Sequence, residues 1–331
     1  MKALLSACLT ALFSLQLHAD FASDQMKEFE AYKKSQEDAF KEYQEAQMKA
    51  FEDYKKEIGA IWEEPKLSSQ KSWVSYADDK KSRSNVDFEK ETITIETIAK
   101  SPNEAAQNLK IALAKAVTID TKTVQKTDPL EKRLAQIKKP DDVVDAPLKA
   151  EPILSTVIFD KPPTQESVKE YVEAKVTPKE IKIEASQKLP HERVYKIEVP
   201  LPKDAMVKRS QLFEETVRKH AKIQKLPTPL VFAIIHTESC FNPRARSHVP
   251  AYGLMQIVPK TAGMDTYQYL YNEKKLVSAN YLYDSTNNIT MGSAYLHILY
   301  YNYLKEVKDP ESKLYCAIAA YNTGAGNVAC A

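Results

Sequence analysis

The sequence predicts an α+β protein: a long N-terminal helix (20–64), a small α+β domain (65–203) and a mainly helical C-terminal domain (204–331), behind a signal segment (1–19). Three observations predict it. Aromatic residues recur every eleven positions near the N-terminus. Apolar and polar residues then alternate between Ser72 and Ala99. Five of the six glycines and twelve of the eighteen tyrosines fall in the last third, which marks that third as a separate unit. A chain of 331 residues is long enough to bury more than one core.

The first nineteen residues have the pattern of an export signal. Lys2 precedes an apolar stretch from Ala3 to Leu17, and Ala19 supplies a small residue before a polar start. The run is short for a membrane span, which takes about 20 apolar residues. Leu5-Ser6-Ala7-Cys8 is a competing lipoprotein-like site, and lipidation at Cys8 would anchor the protein to a membrane, but only five residues separate Lys2 from Cys8, so simple cleavage is the expectation. The expectation is a periplasmic protein, outer-membrane associated if Cys8 carries lipid. Beyond the signal, Cys240, Cys316 and Cys330 allow one disulfide among three pairings, which sequence leaves open.

Phe29, Phe40 and Phe51 are eleven apart, as are Tyr32, Tyr43 and Tyr54; Trp62 extends the first series and Phe21 the second. Eleven residues make three helical turns, so the aromatics form one nearly straight stripe. Such a stripe needs a cover, either the protein itself, a second copy, or a membrane or cell wall. Pro65 ends this helix. Trp73–Tyr76, Val86–Phe88 and Thr92–Glu96 alternate as short strands. A helix is expected over Asn103–Ala116 and another over Gln165–Ala174, with strands at Ser155–Phe159 and Val194–Val199. Residues 117–165 read otherwise as polar connections, and nothing before residue 204 has the spacing of a catalytic site.

Net charge is +2 with a pI near 8.1, and no basic cluster is interleaved with aromatics, so nucleic acid is not an expected partner. The informative chemistry lies further on. Ser210–Ile223 is amphipathic. Pro227 and Pro229 open a second helix whose run Leu230–Ile235 is almost wholly apolar, and Glu238 emerges from its C-terminal end. Burial and the negative end of the helix dipole both disfavour a carboxylate there, which suits a general acid. His236, Glu238, Cys240 and His248 cluster in sequence, but positions i and i+2 point apart on a helix and no zinc motif is present, so no metal is expected.

Three runs occur in order: ESCFNP (238–243), YGLMQIVPKTAG (252–263) and AAYNTGAGNV (319–328). On these the region 205–331 resembles the lytic transglycosylases, lysozyme-like enzymes that cleave peptidoglycan. The region before it, with Trp73–Tyr76 and Val86–Phe88, is similar to the N-terminal region of the membrane-bound lytic murein transglycosylase C branch. The resemblance implies a lysozyme-like helical domain with Glu238 as the catalytic residue and Tyr321 beside it. It implies Ser239, Gly253, Leu254, Met255, Gln256 and Asn322 as the substrate-binding set, with Gln256 bonding sugar. It further implies cleavage between N-acetylmuramic acid and N-acetylglucosamine with formation of a 1,6-anhydro end, one glutamate serving as acid and then base, without metal or cofactor. The peptidoglycan glycan strand is the one expected partner. Family members usually continue past the AYN motif with a further helix, so this chain is expected to be short at its C-terminus. The rival readings are a non-catalytic murein-binding scaffold and a hydrolytic lysozyme; Asp265 and Glu273 are the carboxylates the latter could recruit, although no motif supports either.

Overall fold

The computed structural model describes residues 2–248 and 250–329, with side chains described from Gln25 onward except at a few positions. The side chains of the signal segment, Cys8 and the early aromatics Phe21, Phe29 and Tyr32 therefore lie outside the described residues, as does Cys330.

Helix α1 runs from Lys2 to Gly59. Its aromatic stripe is covered by the protein itself from Phe40 onward: Phe40, Tyr43, Tyr54 and Trp62 are all buried. Tyr54, Ile58 and Trp62 pack with Val74, Tyr76 and Ile98 as a small core. The Trp62 indole N–H donates to the Lys80 carbonyl at 2.7 Å, and the Arg83 guanidinium lies 3.9 Å over the Trp62 ring. The helix stops at Gly59, earlier than Pro65.

Strands β1 (Ser72–Tyr76), β2 (Ser82–Asp87) and β3 (Thr92–Ala99) form an antiparallel meander. Helix α2 (Pro102–Thr118) follows. The Ser101 side chain caps it by accepting from the Glu104 amide, and Pro102 sits where a missing N–H costs nothing. Ala105, Leu109, Leu113 and Ala116 recur on the face that α2 buries. Two short helices follow, α3 (Thr121–Thr127) and α4 (Pro129–Ala135), capped by the carboxylates of Asp120 and Asp128.

Residues 117–165 are thus more ordered than their polarity suggests. Ser155–Ile158 is a short helix, α5, not the expected strand; with Val157 packed into the sheet core, burial of one turn outweighs β propensity. The stretch 143–151 crosses to the C-terminal domain. The Val144 amide donates to the Leu276 carbonyl and its carbonyl accepts from the Ser278 amide, both at 2.8 Å, and Leu148 enters the C-terminal core.

Helix α6 (Gln165–Lys175) carries a reciprocal cap between Thr164 and Ser167. Strands β4 (Lys182–Ala185) and β5 (Arg193–Pro200) complete a five-stranded antiparallel sheet in the order β1-β2-β3-β5-β4. Strand β4 escaped the sequence reading because it is exposed throughout and has no buried face to set an alternation. Ile93, Ile95, Ile197 and Val199 meet in register across β3 and β5 beneath α2.

The C-terminal domain is helical: α7 (Ala205–Gln211), α8 (Glu214–Ile223), α9 (Thr228–Ser239), α10 (Met264–Tyr271), α11 (Ala279–Tyr283), α12 (Ser285–His297), α13 (Pro310–Thr323) and α14 (Ala325–Ala329). Leu212 and Phe213 break the expected Ser210–Ile223 helix into two. Helix α9 is buried on one side only. Leu230, Val231, Ile234 and Ile235 face the core, while Ala233, His236 and Thr237 are exposed.

Candidate active site

The site is assembled around the end of α9. Glu238 is half-buried in the last turn. Burial raises its carboxyl above the ordinary glutamate range, and the nearby charge of Lys71 works the other way. Among the described residues its carboxylate accepts no hydrogen bond.

The chain then reverses sharply. Cys240 and Phe241 both take left-handed backbone angles, φ 50° and 61°, which non-glycine residues adopt at a cost of about 1–2 kcal/mol each. The turn is held from outside the helix. The Arg209 Nε donates to the Cys240 carbonyl at 3.2 Å, and its Nη2 donates to the Phe88 carbonyl at 3.1 Å. Asn242, fully buried, donates to the carbonyls of Gln70 at 3.2 Å and Ser72 at 3.5 Å, and its Oδ1 accepts from the Arg244 amide. Those carbonyls belong to the segment entering β1, so the small α+β domain braces the turn that presents Glu238.

Facing α9 is the loop 252–258. Gly253 has φ +75°, and a Cβ there would sit 2.3 Å from both the Asn288 amide nitrogen and the Leu282 carbonyl oxygen. Only glycine fits. Asn288 of α12 ties this loop down: its Oδ1 accepts from the Met255 amide at 2.7 Å, and its Nδ2 donates to the carbonyls of Tyr252 and Leu282 at 2.8 Å each. Gly292, one turn on, lets the Met255 side chain lie directly against α12, since a Cβ would come within 2.3 Å of its sulfur.

Tyr321 of α13 closes the arrangement. Its hydroxyl donates to the Met255 carbonyl at 2.7 Å, and its ring packs edge-on to Tyr295 at 5.5 Å. Burial and the neighbouring Glu238 carboxylate both push the phenol well above its usual range, so it stays a neutral donor. Gln256 is also left-handed, at φ 49°. Its Nε2 donates to the Gly253 carbonyl at 2.9 Å, while its Oε1 is buried with no partner.

Some expected members of the site do other work. Ser239, expected to touch substrate, is fully buried, its hydroxyl donating to the Leu254 and Ile235 carbonyls at 2.8 and 3.0 Å. It joins α9 to the facing loop and does not reach the cleft. The Leu254 and Met255 side chains are core residues, so their part of the cleft wall is backbone. Asn322 is exposed on α13, and its side chain makes no hydrogen bond among the described residues.

Sequence reasoning missed Asn288, Arg209 and Lys71. For Asn288 the available signal was an asparagine on the buried face of an otherwise apolar helix. For the other two it was absent: Arg209 joins Cys240 to Phe88, 121 positions before it, and Lys71 is an ordinary lysine until folding brings it beside α9. Lys71, His236, Thr237 and Cys240 line one groove where the α+β domain meets the end of α9.

Residues 39–211 match the family model described as the N-terminal domain of membrane-bound lytic murein transglycosylase C, and residues 215–331 match the transglycosylase SLT domain. Proteins named membrane-bound lytic murein transglycosylase C are similar along most of the chain. The one from Klebsiella pneumoniae subsp. pneumoniae is 34% identical over 275 residues, covering 82% of this chain and 72% of the relative. The Serratia proteamaculans protein is 33% identical over 277 residues with the same coverage. The chain belongs to the membrane-bound lytic murein transglycosylase C family. Its architecture is therefore that of a family of peptidoglycan-cleaving lyases, with the SLT domain carrying ESCFNP, YGLMQIV and AAYNT. Among solved structures, an inactive mutant of the lytic transglycosylase Slt from Pseudomonas aeruginosa is 31% identical over 38% of this chain, at a TM-score of 0.30. The 70 kDa soluble lytic transglycosylase of Escherichia coli, also solved in complex with bulgecin A, is 28% identical at a TM-score of 0.31. The chain spans only about a fifth of these larger proteins (21% and 19%).

Proposed function

We propose that this member of the family cleaves the glycosidic bond between N-acetylmuramic acid and N-acetylglucosamine in peptidoglycan, with Glu238 as the only acid and base, and leaves a 1,6-anhydromuramoyl end. The observation that carries the reading is the Glu238 carboxyl, half-buried at the end of α9 and raised by burial, in a domain that matches the transglycosylase SLT family model. Ordinary glycoside hydrolysis uses two carboxyl groups flanking the bond. Of the carboxylates a hydrolase could recruit, Asp265 and Glu273 are exposed, and Glu273 is paired with Lys275 at 2.6 Å.

With one carboxyl, the substrate must supply the nucleophile. The Glu238 carboxyl gives its proton to the glycosidic oxygen as the C1–O bond breaks, and positive charge builds at C1 of the muramoyl ring. The resulting carboxylate then accepts the proton of the C6 hydroxyl as O6 bonds to C1. The proton count closes on Glu238 and no water is consumed. The Tyr321 hydroxyl, fixed on the Met255 carbonyl, orients that loop against Glu238. The unpartnered Gln256 Oε1 offers an acceptor to a sugar hydroxyl, and Gly253 contributes the bare backbone past which a sugar ring can lie.

The reading includes export and membrane association. The family relatives are named membrane-bound, while no helix among the described residues is long and apolar enough to cross a membrane. Cleavage after Ala19 and lipid attachment at Cys8 are the two routes the N-terminal segment offers, and the relatives' name supports testing the second.

Digestion of murein in ¹⁸O-labelled water tests the chemistry. The proposed reaction puts no label into the muramoyl end, whereas label at C1 would make the enzyme a hydrolase and require a second carboxylate or a bound water.

A further inference from the structure

One member of the aromatic stripe on α1 lies outside the small core that Tyr54, Ile58 and Trp62 form. Phe51 is half-buried, and the Arg246 guanidinium sits 3.5 Å over its ring. Arg246 belongs to the stretch that joins ESCFNP (238–243) to the facing loop (252–258). Its backbone forms an antiparallel bridge with Tyr252, and Tyr252 bridges Ile257 in turn. The Gly253 amide donates to the Ala245 carbonyl at 2.9 Å, and the Gly253 carbonyl accepts from the Gln256 side chain at the same distance.

The Arg246 side chain serves the same loop. Its guanidinium lies 5.2 Å from the Tyr252 ring, so one cation contacts an aromatic of α1 and an aromatic of the loop. Its amide donates to the Ser69 carbonyl at 3.2 Å, on the segment entering β1. The Tyr252 ring packs edge-on to Tyr283 at 5.5 Å. A purely apolar neighbour would cover Phe51 without drawing a charge partly out of water, so burial alone does not account for an arginine here. A cation over a ring is directional, and it gains strength as water is excluded.

We infer that Phe51 and Arg246 are positioning residues for the facing loop, which makes the N-terminal helix a working part of the substrate cleft. The inference rests on the proposed use of Gly253 and Gln256 as the cleft wall. The route is short and every step is a contact. Phe51 fixes the guanidinium, the guanidinium and the backbone bridge fix Tyr252, and Tyr252 leads into Gly253, whose carbonyl holds the Gln256 side chain. Asn288 holds this loop from α12. The loop is therefore gripped from two elements, one within the catalytic domain and one nearly two hundred residues earlier in the chain. The aromatic stripe thus does more than close a core: one of its rings reaches the loop that lines the site.

The test reads the Gly253 amide in the full chain. Gly253 is the only glycine that follows a tyrosine, so labelling tyrosine with ¹³C at the carbonyl and glycine with ¹⁵N isolates its NMR signal. Phe51→Leu keeps apolar bulk and removes the ring; Arg246→Gln keeps a long polar side chain and removes the cation. Each speeds hydrogen exchange at Gly253 by roughly tenfold, the order that a half-buried cation–π contact carries. The double variant exchanges no faster than either single one, because both break the same contact. Phe51→Tyr keeps the ring and stays close to the parent. Murein digestion follows the loop: apparent KM rises severalfold in Phe51→Leu and Arg246→Gln, with a smaller change in kcat and the same pH profile, since the wall holds sugar in ground and transition states alike. A contact that only stabilised the fold would leave the KM of the folded molecules unchanged. Unaltered Gly253 exchange in Phe51→Leu overturns the inference, as do additive effects in the double variant or faster exchange with KM unmoved. Faster Gly253 exchange in the variants of a chain whose parent never cleaves murein sinks the functional reading instead, and with it the role of this loop as a cleft wall.

Discussion

Replacing Asn288 with alanine should unfold the catalytic loop's support at a cost that can be worked out bond by bond. Asn288 is fully buried on α12 and serves three backbone groups, the Met255 amide and the carbonyls of Tyr252 and Leu282. The Tyr252 carbonyl keeps a second partner in the Ile257 amide at 3.2 Å. The Met255 amide and Leu282 carbonyl lose theirs. Leaving two buried backbone groups unpaired costs about 1–3 kcal/mol each, so about 2–6 kcal/mol in all. Alanine's better helix propensity returns roughly 0.5 kcal/mol. Equilibrium unfolding in urea should therefore show Asn288→Ala less stable than wild type by about 2–5 kcal/mol. A loss below about 1 kcal/mol would refute the claim that Asn288 is the tie between α12 and the loop.

Tyr321→Phe should fold normally, lose about 1 kcal/mol of stability with its single hydrogen bond, and cleave murein roughly tenfold more slowly as the Met255 loop loosens; an unchanged rate would reduce Tyr321 to packing. The buried Asp128, which caps α4, has its carboxyl raised by desolvation from 3.8 to about 6. The folded state therefore binds this proton more tightly than the unfolded chain does. Its contribution favours folding below pH ~4 and is lost as pH rises through about 6, up to roughly 3 kcal/mol. Asn caps a helix as well as Asp does, so the stability of Asp128→Asn relative to wild type should rise between pH 4 and 7, and a flat difference in pH-dependent urea unfolding would contradict the burial argument.

The sequence was most informative where one physical rule acted alone. The eleven-residue aromatic stripe had to be covered, and from Phe40 onward the protein covers it. The alternation in β1 and β3 was readable because it is local. Rules in competition misled. Ser155–Ile158 has strand-like residues but is helical because Val157 must reach the core, and Ser239 borders Glu238 in sequence yet points inward because its hydroxyl bonds the Leu254 carbonyl. The interdomain brace could not be read at all. Arg209 and Asn242 are ordinary polar residues in sequence, and their meaning comes from the Phe88, Gln70 and Ser72 carbonyls that folding brings to them from far along the chain.

The central claim is that one carboxyl group, Glu238, performs the whole reaction. Mass spectrometry of purified murein digested with wild type and Glu238→Gln, both first shown to be folded by circular dichroism, addresses it directly. The account predicts 1,6-anhydromuropeptides from wild type and none from Glu238→Gln. Anhydro products from the variant at a comparable rate would contradict it.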